Sequence, residues 1–289
     1  MKISRNEPLK KHTSFRLGGA AEYFCQPKSV SELKEALEFA KGKKLAVFIL
    51  GSGTNLLILD CGFKGLVIKI AGGLNKLAVK NNQVKVGAGW PLPKLLQKLA
   101  TLNLGGVEFL SGIPGSVGGA VVMNAGAWGK EIGDYVEEIV VVNQSGEEKR
   151  LSNKRLKFGY RQSWLQGKDL IVTEIVLKLK KKKGSFIKEA MAKYLALRYA
   201  GQPLGAPNCG SVFKNPKGEY AGRLIEAAGC KGWRVGDAQV SSKHANFIVN
   251  LGEAKASQVI KLIARIQQAV KKRFHIILEP ELKIMVKSA

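Results

Sequence analysis

Cysteine, histidine and acidic side chains are the scarce components of this sequence. Four cysteines, Cys25, Cys61, Cys209 and Cys230, are scattered over 289 residues. No CxxC pair occurs, so neither a zinc site nor a thioredoxin-type redox motif is indicated, and no metal is expected. So few thiols in so long a chain do not make a disulfide scaffold, which fits a reducing, cytoplasmic setting. Asp and Glu total 22 against 47 Lys and Arg, a formal net charge of +25. Such an excess attracts anions of every kind. The basic residues, however, are dispersed from Lys2 to Arg273 with no aromatic-interleaved patch. That dispersion reads as a solvated surface, and no nucleic-acid partner is expected. Long apolar runs are missing too. The uncharged stretch 109–129 is rich in Gly, Ser, Asn and Pro. A membrane helix needs about 20 mostly apolar residues, so this run reads as loops and strands facing a ligand, without membrane insertion. The first eleven residues are polar and lack the apolar stretch of a secretory signal.

Several common site motifs are absent as well. Leu56 stands where GxGxxG needs its third glycine, and no Gly-Lys-Ser/Thr follows, which excludes a Rossmann fingerprint and a P-loop. The GxSxG elbow of the α/β-hydrolases does not occur.

What is present is a folded chain of ordinary composition, 45% hydrophobic and 24% charged. Helical spacing marks residues 31–41, 92–102, 185–199, 220–228 and 255–274. In the last of these, Val259, Leu262, Ile263, Ile266 and Val270 share one face. Strands are expected at 45–50, 56–59, 66–70, 170–179, 245–250 and 276–286. Hairpins are expected at 79–86, around Asn81-Asn82, and at 136–151, around residues 144–146. Helices and strands mix without regular alternation, which predicts an α+β fold. The run Lys180-Lys181-Lys182-Lys183-Gly184 reads as a solvated strand end at a boundary, with a weaker boundary near 70–73. The expected units are residues 1–70, 71–183 and 184–289.

Five segments carry groups suited to chemistry. Gly51-Ser52-Gly53-Thr54-Asn55 follows an apolar strand. Its glycines let backbone N–H groups approach phosphate oxygens, and its side chains add donors; a tight strand-to-strand turn is the alternative. Residues 111–120 and 123–129 are too small to fill a core well. They suit a backbone packed on a flat ligand and a diphosphate, although glycines also serve bulges and turns. Cys209-Gly210-Ser211-Val212-Phe213-Lys214-Asn215 sets a hydroxyl, a cation and an amide close together. Ser211 can serve there as a proton donor or simply as a turn residue. In Lys157-Phe158-Gly159-Tyr160-Arg161, the guanidinium can hold a carboxylate or form a surface ion pair. Glu281 opens an apolar strand near the C-terminus.

These segments occur together and in order with His12-Thr13-Ser14-Phe15-Arg16-Leu17-Gly18-Gly19, Ala221-Gly222-Arg223-Leu224-Ile225-Glu226 and Ser242-Lys243-His244-Ala245-Asn246-Phe247. The ordered set resembles the UDP-N-acetylenolpyruvoylglucosamine reductase family over nearly the whole chain. The short segment between Tyr160 and Ser211 is similar to the compact type, which lacks an extra substrate-covering insertion. The resemblance implies a two-lobed FAD-binding unit of the vanillyl-alcohol-oxidase-like type and a C-terminal substrate-binding domain. It implies FAD contacts from Gly51, Ser52, Gly53, Thr54, Asn55, Gly112, Ile113, Pro114, Gly115, Ser116, Gly118, Gly119, Asn124 and Gly126. Thr54 replaces the family's frequent serine and keeps the hydroxyl. Only His12, His244 and His275 are present, none in a flavin segment, so the FAD is expected to be non-covalent.

The resemblance also implies a reaction. NADPH reduces the flavin, and the flavin passes hydride to the enolpyruvyl group of a UDP-sugar. Arg161 then holds the substrate carboxylate, Ser211 protonates the carbanionic carbon, and Glu281 donates a hydrogen bond as a neutral acid. Tyr160, Lys214, Asn215 and His244 are expected to line the sugar-nucleotide site, with Lys214 assisting Ser211.

Overall fold

The β-branched runs Val136–Asn143 and Leu170–Lys178 form the middle of a five-stranded antiparallel sheet. Its order is Glu148–Ser152, Val136–Asn143, Leu170–Lys178, Gln83–Gly87, Leu77–Lys80. Ile139, Val141, Ile175, Val84 and Val86 are fully buried in it. Both expected hairpins form. Asn81 and Gly146 take the left-handed conformation at their turns. The structure, a computed structural model, describes residues 1–285. The fold is α+β, as the mixed pattern predicts.

The chain divides into two compact units. One comprises Met1–Ser4, Phe24–Ser52 and Gly65–Arg198; the other comprises Arg5–Tyr23, Gly53–Lys64 and the chain from Tyr199 onward. In the first unit the short helix Val117–Val122 packs on the strands Gln83–Gly87 and Leu170–Lys178. Gly118 donates its N–H to the Ala88 carbonyl at 2.9 Å, and a Cβ there would lie 2.8 Å from that of Ala88. The helix Val30–Gly42 begins where Ser29 Oγ accepts the Glu32 N–H. The helix Leu92–Thr101 opens behind Pro91.

The lysine run does not end this unit. Lys180–Lys181 pairs with Leu104–Gly105. Asn103 Oδ1 accepts the Gly184 N–H at 2.8 Å, and a Cβ on Gly184 would meet the Ala100 carbonyl at 2.5 Å. These ties keep the helix Gly184–Gly201, as far as Arg198, in the first unit. Lys180, Lys181 and Lys183 face solvent; Lys182 reaches the buried Glu108 carboxylate at 3.0 Å.

The second unit holds a four-stranded antiparallel sheet in the order Asn208–Ser211, Phe247–Asn250, Ala238–Val240, Arg234–Val235. The helices Ala221–Ala227 and Ala256–Phe274 pack with it. The stripe Val259, Leu262, Ile263, Ile266 and Val270 is buried as its spacing requires. Phe15, Leu17 and Leu57 join the same core. The expected strand 276–286 shrinks to Lys283–Met285, parallel to Leu56–Ile58. Pro280 lacks an N–H and breaks the ladder, leaving an isolated bridge to Phe213; Val286 lies outside the described residues.

Asp60 fastens the helix Ala256–Phe274. Its carboxylate accepts the Ala256 N–H at 2.7 Å, the Ser257 N–H at 3.1 Å and the Ser257 hydroxyl at 2.9 Å. Desolvation opposes its charge. The bonds from Ala256 and Ser257, aided by Lys255, outweigh that effect and hold its pKa below the ordinary carboxylate value. The folded-state pKa is thus depressed, and the stabilisation is present at neutral pH and lost as pH falls through that lowered value. Asp60→Ala should cost about 1 kcal/mol in urea unfolding at pH 7. The gap from wild type should close in acid; a gap that stays constant down to pH 3 would contradict the capping role.

Candidate functional site

In the second unit a short antiparallel pairing brings two distant segments together. The Glu281 N–H donates to the Val212 carbonyl at 2.8 Å, and the Lys214 N–H donates to the Glu279 carbonyl at 2.9 Å. The segments that carry Ser211 and Glu281 thereby run side by side although seventy residues separate them. A bulge between Asn208 and Ser211 breaks the pairing with Phe247–Asn250. Within it, Gly210 takes φ +80° and its N–H is accepted by Asn208 Oδ1 at 2.9 Å. Such a bulge re-aims the side chain that follows it. Ser211 is only partly buried.

Asparagines hold this arrangement. The buried Asn246 amide clamps Phe213 from both sides, accepting its N–H at 3.0 Å and donating to its carbonyl at 2.8 Å. Asn55 Nδ2 donates to the Glu281 carbonyl at 3.3 Å, and the Asn55 carbonyl accepts the Lys283 N–H at 3.0 Å. The Thr54 carbonyl lies 3.9 Å from where a Cβ on Gly210 would stand. Gly53 has φ +65°, and a Cβ there would come within 2.3 Å of the His12 carbonyl. Gly53, Thr54 and Asn55 thus sit with Ser211 and Glu281 in the second unit.

The expected sugar-nucleotide residues of this unit have partners of their own. Lys214 Nζ pairs with Glu279 Oε1 at 2.5 Å. Asn215 Oδ1 accepts the N–H of Ala221 at the start of the helix Ala221–Ala227. His244 Nδ1 accepts the Asn246 N–H at 3.2 Å, and the ring meets Phe247 edge-on. Burial, with Lys231 as a lesser cause, lowers the His244 pKa, so the ring is neutral at pH 7.

The first unit holds Gly51, Ser52, the 111–126 stretch and Arg161. A Cβ on Gly51 would lie 3.1 Å from Ser116 Oγ and 4.0 Å from Gly119 Cα. Ser116 Oγ accepts the Gly119 N–H at 3.3 Å. Gly112 has φ +77°, and a Cβ there would lie 2.6 Å from Arg198 Cδ. A Cβ on Gly126 would strike the Lys130 carbonyl, so Gly126 serves its hairpin. Asn124 is fully buried, and its amide is engaged within the protein. It donates to Glu131 Oε2 at 2.5 Å and to the Gly159 carbonyl at 2.9 Å, and accepts the Gly133 N–H at 3.0 Å.

That amide buttresses the turn that carries Arg161. Gly159 and Gln162 exchange backbone hydrogen bonds at 3.1 and 2.9 Å, so Tyr160 and Arg161 form the tip of a two-residue hairpin. Arg161 sits at φ +56°, a conformation a non-glycine residue adopts at a cost of roughly 1–2 kcal/mol. Its guanidinium lies 5.1 Å from the Tyr160 ring centre, and its carbonyl accepts Gln166 Nε2 at 3.0 Å. Ser163 Oγ and Gln166 Nε2 both donate to the Val122 carbonyl. The Arg161 turn and the helix behind Ser116 are therefore one packed body.

Sequence reasoning missed four residues. Asn246, Asp60 and Glu108 act through buried or capping hydrogen bonds that no local pattern announces. Arg198 is the fourth. Together with Ser111 Oγ, its Nε is buried without a hydrogen-bond partner. Small residues around Gly51, Ser116 and Gly119, with two orphaned donors beside Gly112, fit a flat, phosphate-bearing group such as FAD. No group of three His, Cys, Asp or Glu poised for a metal occurs among the described residues. No helix among them is long and apolar enough to cross a membrane.

The chain is similar to known proteins over nearly its whole length. Residues 21–152 match the family model described as "FAD binding domain", and residues 202–285 match "UDP-N-acetylenolpyruvoylglucosamine reductase, C-terminal domain". The UDP-N-acetylenolpyruvoylglucosamine reductase of Desulforamulus reducens is 46% identical over 98% of this chain and 93% of its own length. Reductase 2 of Symbiobacterium thermophilum is 48% identical over 98% and 92%. The crystal structure of the Thermus caldophilus enzyme superposes with a TM-score of 0.86 at 40% identity, covering 98% of this chain and 99% of that one. 6-Hydroxy-D-nicotine oxidase of Arthrobacter nicotinovorans, 14% identical with a TM-score of 0.50, shares the fold over 62% of this chain and 42% of its own.

Cys209, two residues before Ser211, has no place in the chemistry. Burial pushes its thiol up to about 12, and the thiolate is the reactive form. Cys25 and Cys230 are buried too, and only Cys61 is exposed. Ellman's reagent should titrate one thiol in the native protein at pH 8 and four after denaturation. Rapid loss of a second native thiol, mapped to Cys209, would contradict the packing role.

Proposed function

Because the chain belongs to the UDP-N-acetylenolpyruvoylglucosamine reductase family, we propose that it uses FAD and NADPH to reduce UDP-N-acetylenolpyruvoylglucosamine to UDP-N-acetylmuramate. The step belongs to peptidoglycan precursor synthesis in the cytoplasm. The observation that carries this reading is the main-chain pairing that sets the segments carrying Ser211 and Glu281 side by side. A hydroxyl and a carboxyl carried on two paired segments suit a substrate that gains a proton beside a carboxylate.

The glycine segments would hold FAD non-covalently, and the flavin, once reduced by NADPH, would supply a hydride to the terminal carbon of the enolpyruvyl double bond. Negative charge then builds on the neighbouring carbon and spreads into the substrate carboxylate. Arg161 holds that carboxylate with two hydrogen bonds, which strengthen as charge accumulates and so lower the barrier. Glu281, facing an anionic substrate, is protonated and donates a third. Ser211 delivers its proton to the carbanionic carbon, completing addition of a hydride and a proton across the double bond. Lys214, ion-paired with Glu279, assists Ser211 as half of an oriented charge pair rather than as a free cation. Tyr160, Asn215 and His244 complete the contacts with the sugar nucleotide, His244 as a neutral ring. The net charge of +25 raises the local concentration of NADPH and the UDP-sugar, both polyanions.

The test is spectroscopic. Purified protein should be yellow, should bleach anaerobically with NADPH, and should regain colour on addition of the enolpyruvyl UDP-sugar. Ser211→Ala should bleach at the wild-type rate and regain colour about 10²–10⁴-fold more slowly. Colour that returns only with oxygen would end the assignment.

A further inference from the structure

Arg198 ends the part of the helix Gly184–Gly201 that lies in the first unit. Its Nε is buried with no hydrogen-bond partner among the described residues. The desolvated side chain runs against residue 112 of the glycine-rich segment, with Cδ 2.6 Å and Nε 3.6 Å from the place of a Cβ on Gly112. Any side chain at that position would displace it, and φ +77° there independently favours glycine. The adjacent Ser111 hydroxyl is the other buried, unsatisfied donor of this unit.

A partly buried guanidinium whose Nε is shut off from water ordinarily finds an acceptor, because an unsatisfied buried donor is costly. Here the neighbouring charge is Arg161, another cation. Burial first and Arg161 second pull the Arg198 pKa down to about 10, and no carboxylate among the described residues opposes them. The guanidinium still remains charged at neutral pH. Arg198, with an orphaned buried N–H and a second cation beside it, has no anion among the described residues to satisfy it.

We propose that Arg198 is an oxyanion-binding residue that works with Arg161 on the ligand held along residues 111–116. Gly112 is the residue that lets the guanidinium reach that ligand. The inference rests on the reading of this chain as a flavin-dependent reductase and assigns a binding group which that reading does not include. Two oxyanion sources fit: a phosphate of FAD, and the carboxylate or diphosphate of the sugar nucleotide.

The experiment measures three quantities in wild type, Arg198→Lys and Arg198→Gln. They are the FAD dissociation constant, the rate of flavin bleaching by NADPH, and the sugar-nucleotide concentration that half-saturates colour recovery. A charged hydrogen bond is worth roughly 1.5–3 kcal/mol, so Arg198→Gln should weaken the responsible ligand about 10- to 150-fold. Loss confined to colour recovery assigns the oxyanion to the sugar nucleotide, and loss of FAD affinity assigns it to the cofactor. Arg198→Lys keeps the charge without the planar fork and should fall between. Folded Arg198→Gln with all three quantities within twofold of wild type would overturn the proposal while leaving the reductase reading intact. A wild type whose reduced flavin ignores the sugar nucleotide defeats the reductase reading instead; the FAD titration still decides whether Arg198 binds a cofactor phosphate. If Arg198→Gln does not fold, the wild-type Arg198 Nε–H resonance replaces it. Slower solvent exchange on ligand addition supports the proposal, and an unchanged resonance overturns it.

Discussion

The structure turns on two main-chain hydrogen bonds, Glu281 to Val212 and Lys214 to Glu279. They are antiparallel pairing at its smallest scale, too short for a regular strand. Through them the segments that carry Ser211 and Glu281 are held side by side. Pairing so short has little cooperativity of its own. It persists because Asn246 grips Phe213 on one flank and Asn55 grips the Glu281 carbonyl on the other. Irregular backbone cannot satisfy its own polar groups, and an unpaired buried group costs about 1–3 kcal/mol. Asparagine, with two donors and an acceptor on a short stem, suits that task.

The same device recurs in the first unit. Asn124 closes Glu131, Gly159 and Gly133 around one amide, and Asn153 Nδ2 reaches the carbonyls of Gly133 and Val136. The consequence is functional. Arg161 stands on a two-residue turn in a left-handed conformation, and a strained turn holds one shape only when its surroundings over-determine it. Asn124 supplies part of that constraint from within the segment assigned to the flavin. Cofactor segment and arginine turn are consequently coupled by packing, which a purely ligand-contacting role for Asn124 would not provide.

Acidic residues are few, and several are committed. Asp60 caps a helix, Glu108 is held by Lys182 and the Gly106 N–H, and Glu279 neutralises Lys214. Glu108 shows how the lysine run contributes to the fold. Desolvation opposes its charge, yet its hydrogen bonds, those from Lys182 and Gly106 among them, keep its pKa below the ordinary value. One lysine of four thus secures the loop just before Ser111, while the others face water. With the acids so occupied, the remaining cations give the protein a positive field toward polyanionic ligands.

The elements were legible in the sequence because they are local. The 3.6-residue stripe of Ala256–Phe274, the hairpin at Asn81-Asn82 and the alternation of Leu170–Lys178 each follow from steric and hydrophobic rules acting within a dozen residues. The ordered motifs likewise carried the family, since glycine and hydroxyl spacing survives in the linear chain. Three things were decided only by tertiary structure. Pro280 and the pairing with Phe213 cut the last strand to Lys283–Met285; the caps at Asn103 and Gly184 carried the helix Gly184–Gly201 past the lysine run; and the desolvation of Arg198 against Gly112 made an ordinary helical arginine an unmatched charge. Each depends on which group stands opposite in space. Hydrogen bonding and desolvation are set by that partner and not by position along the chain; of the three, only the break at Pro280 leaves a mark in the sequence.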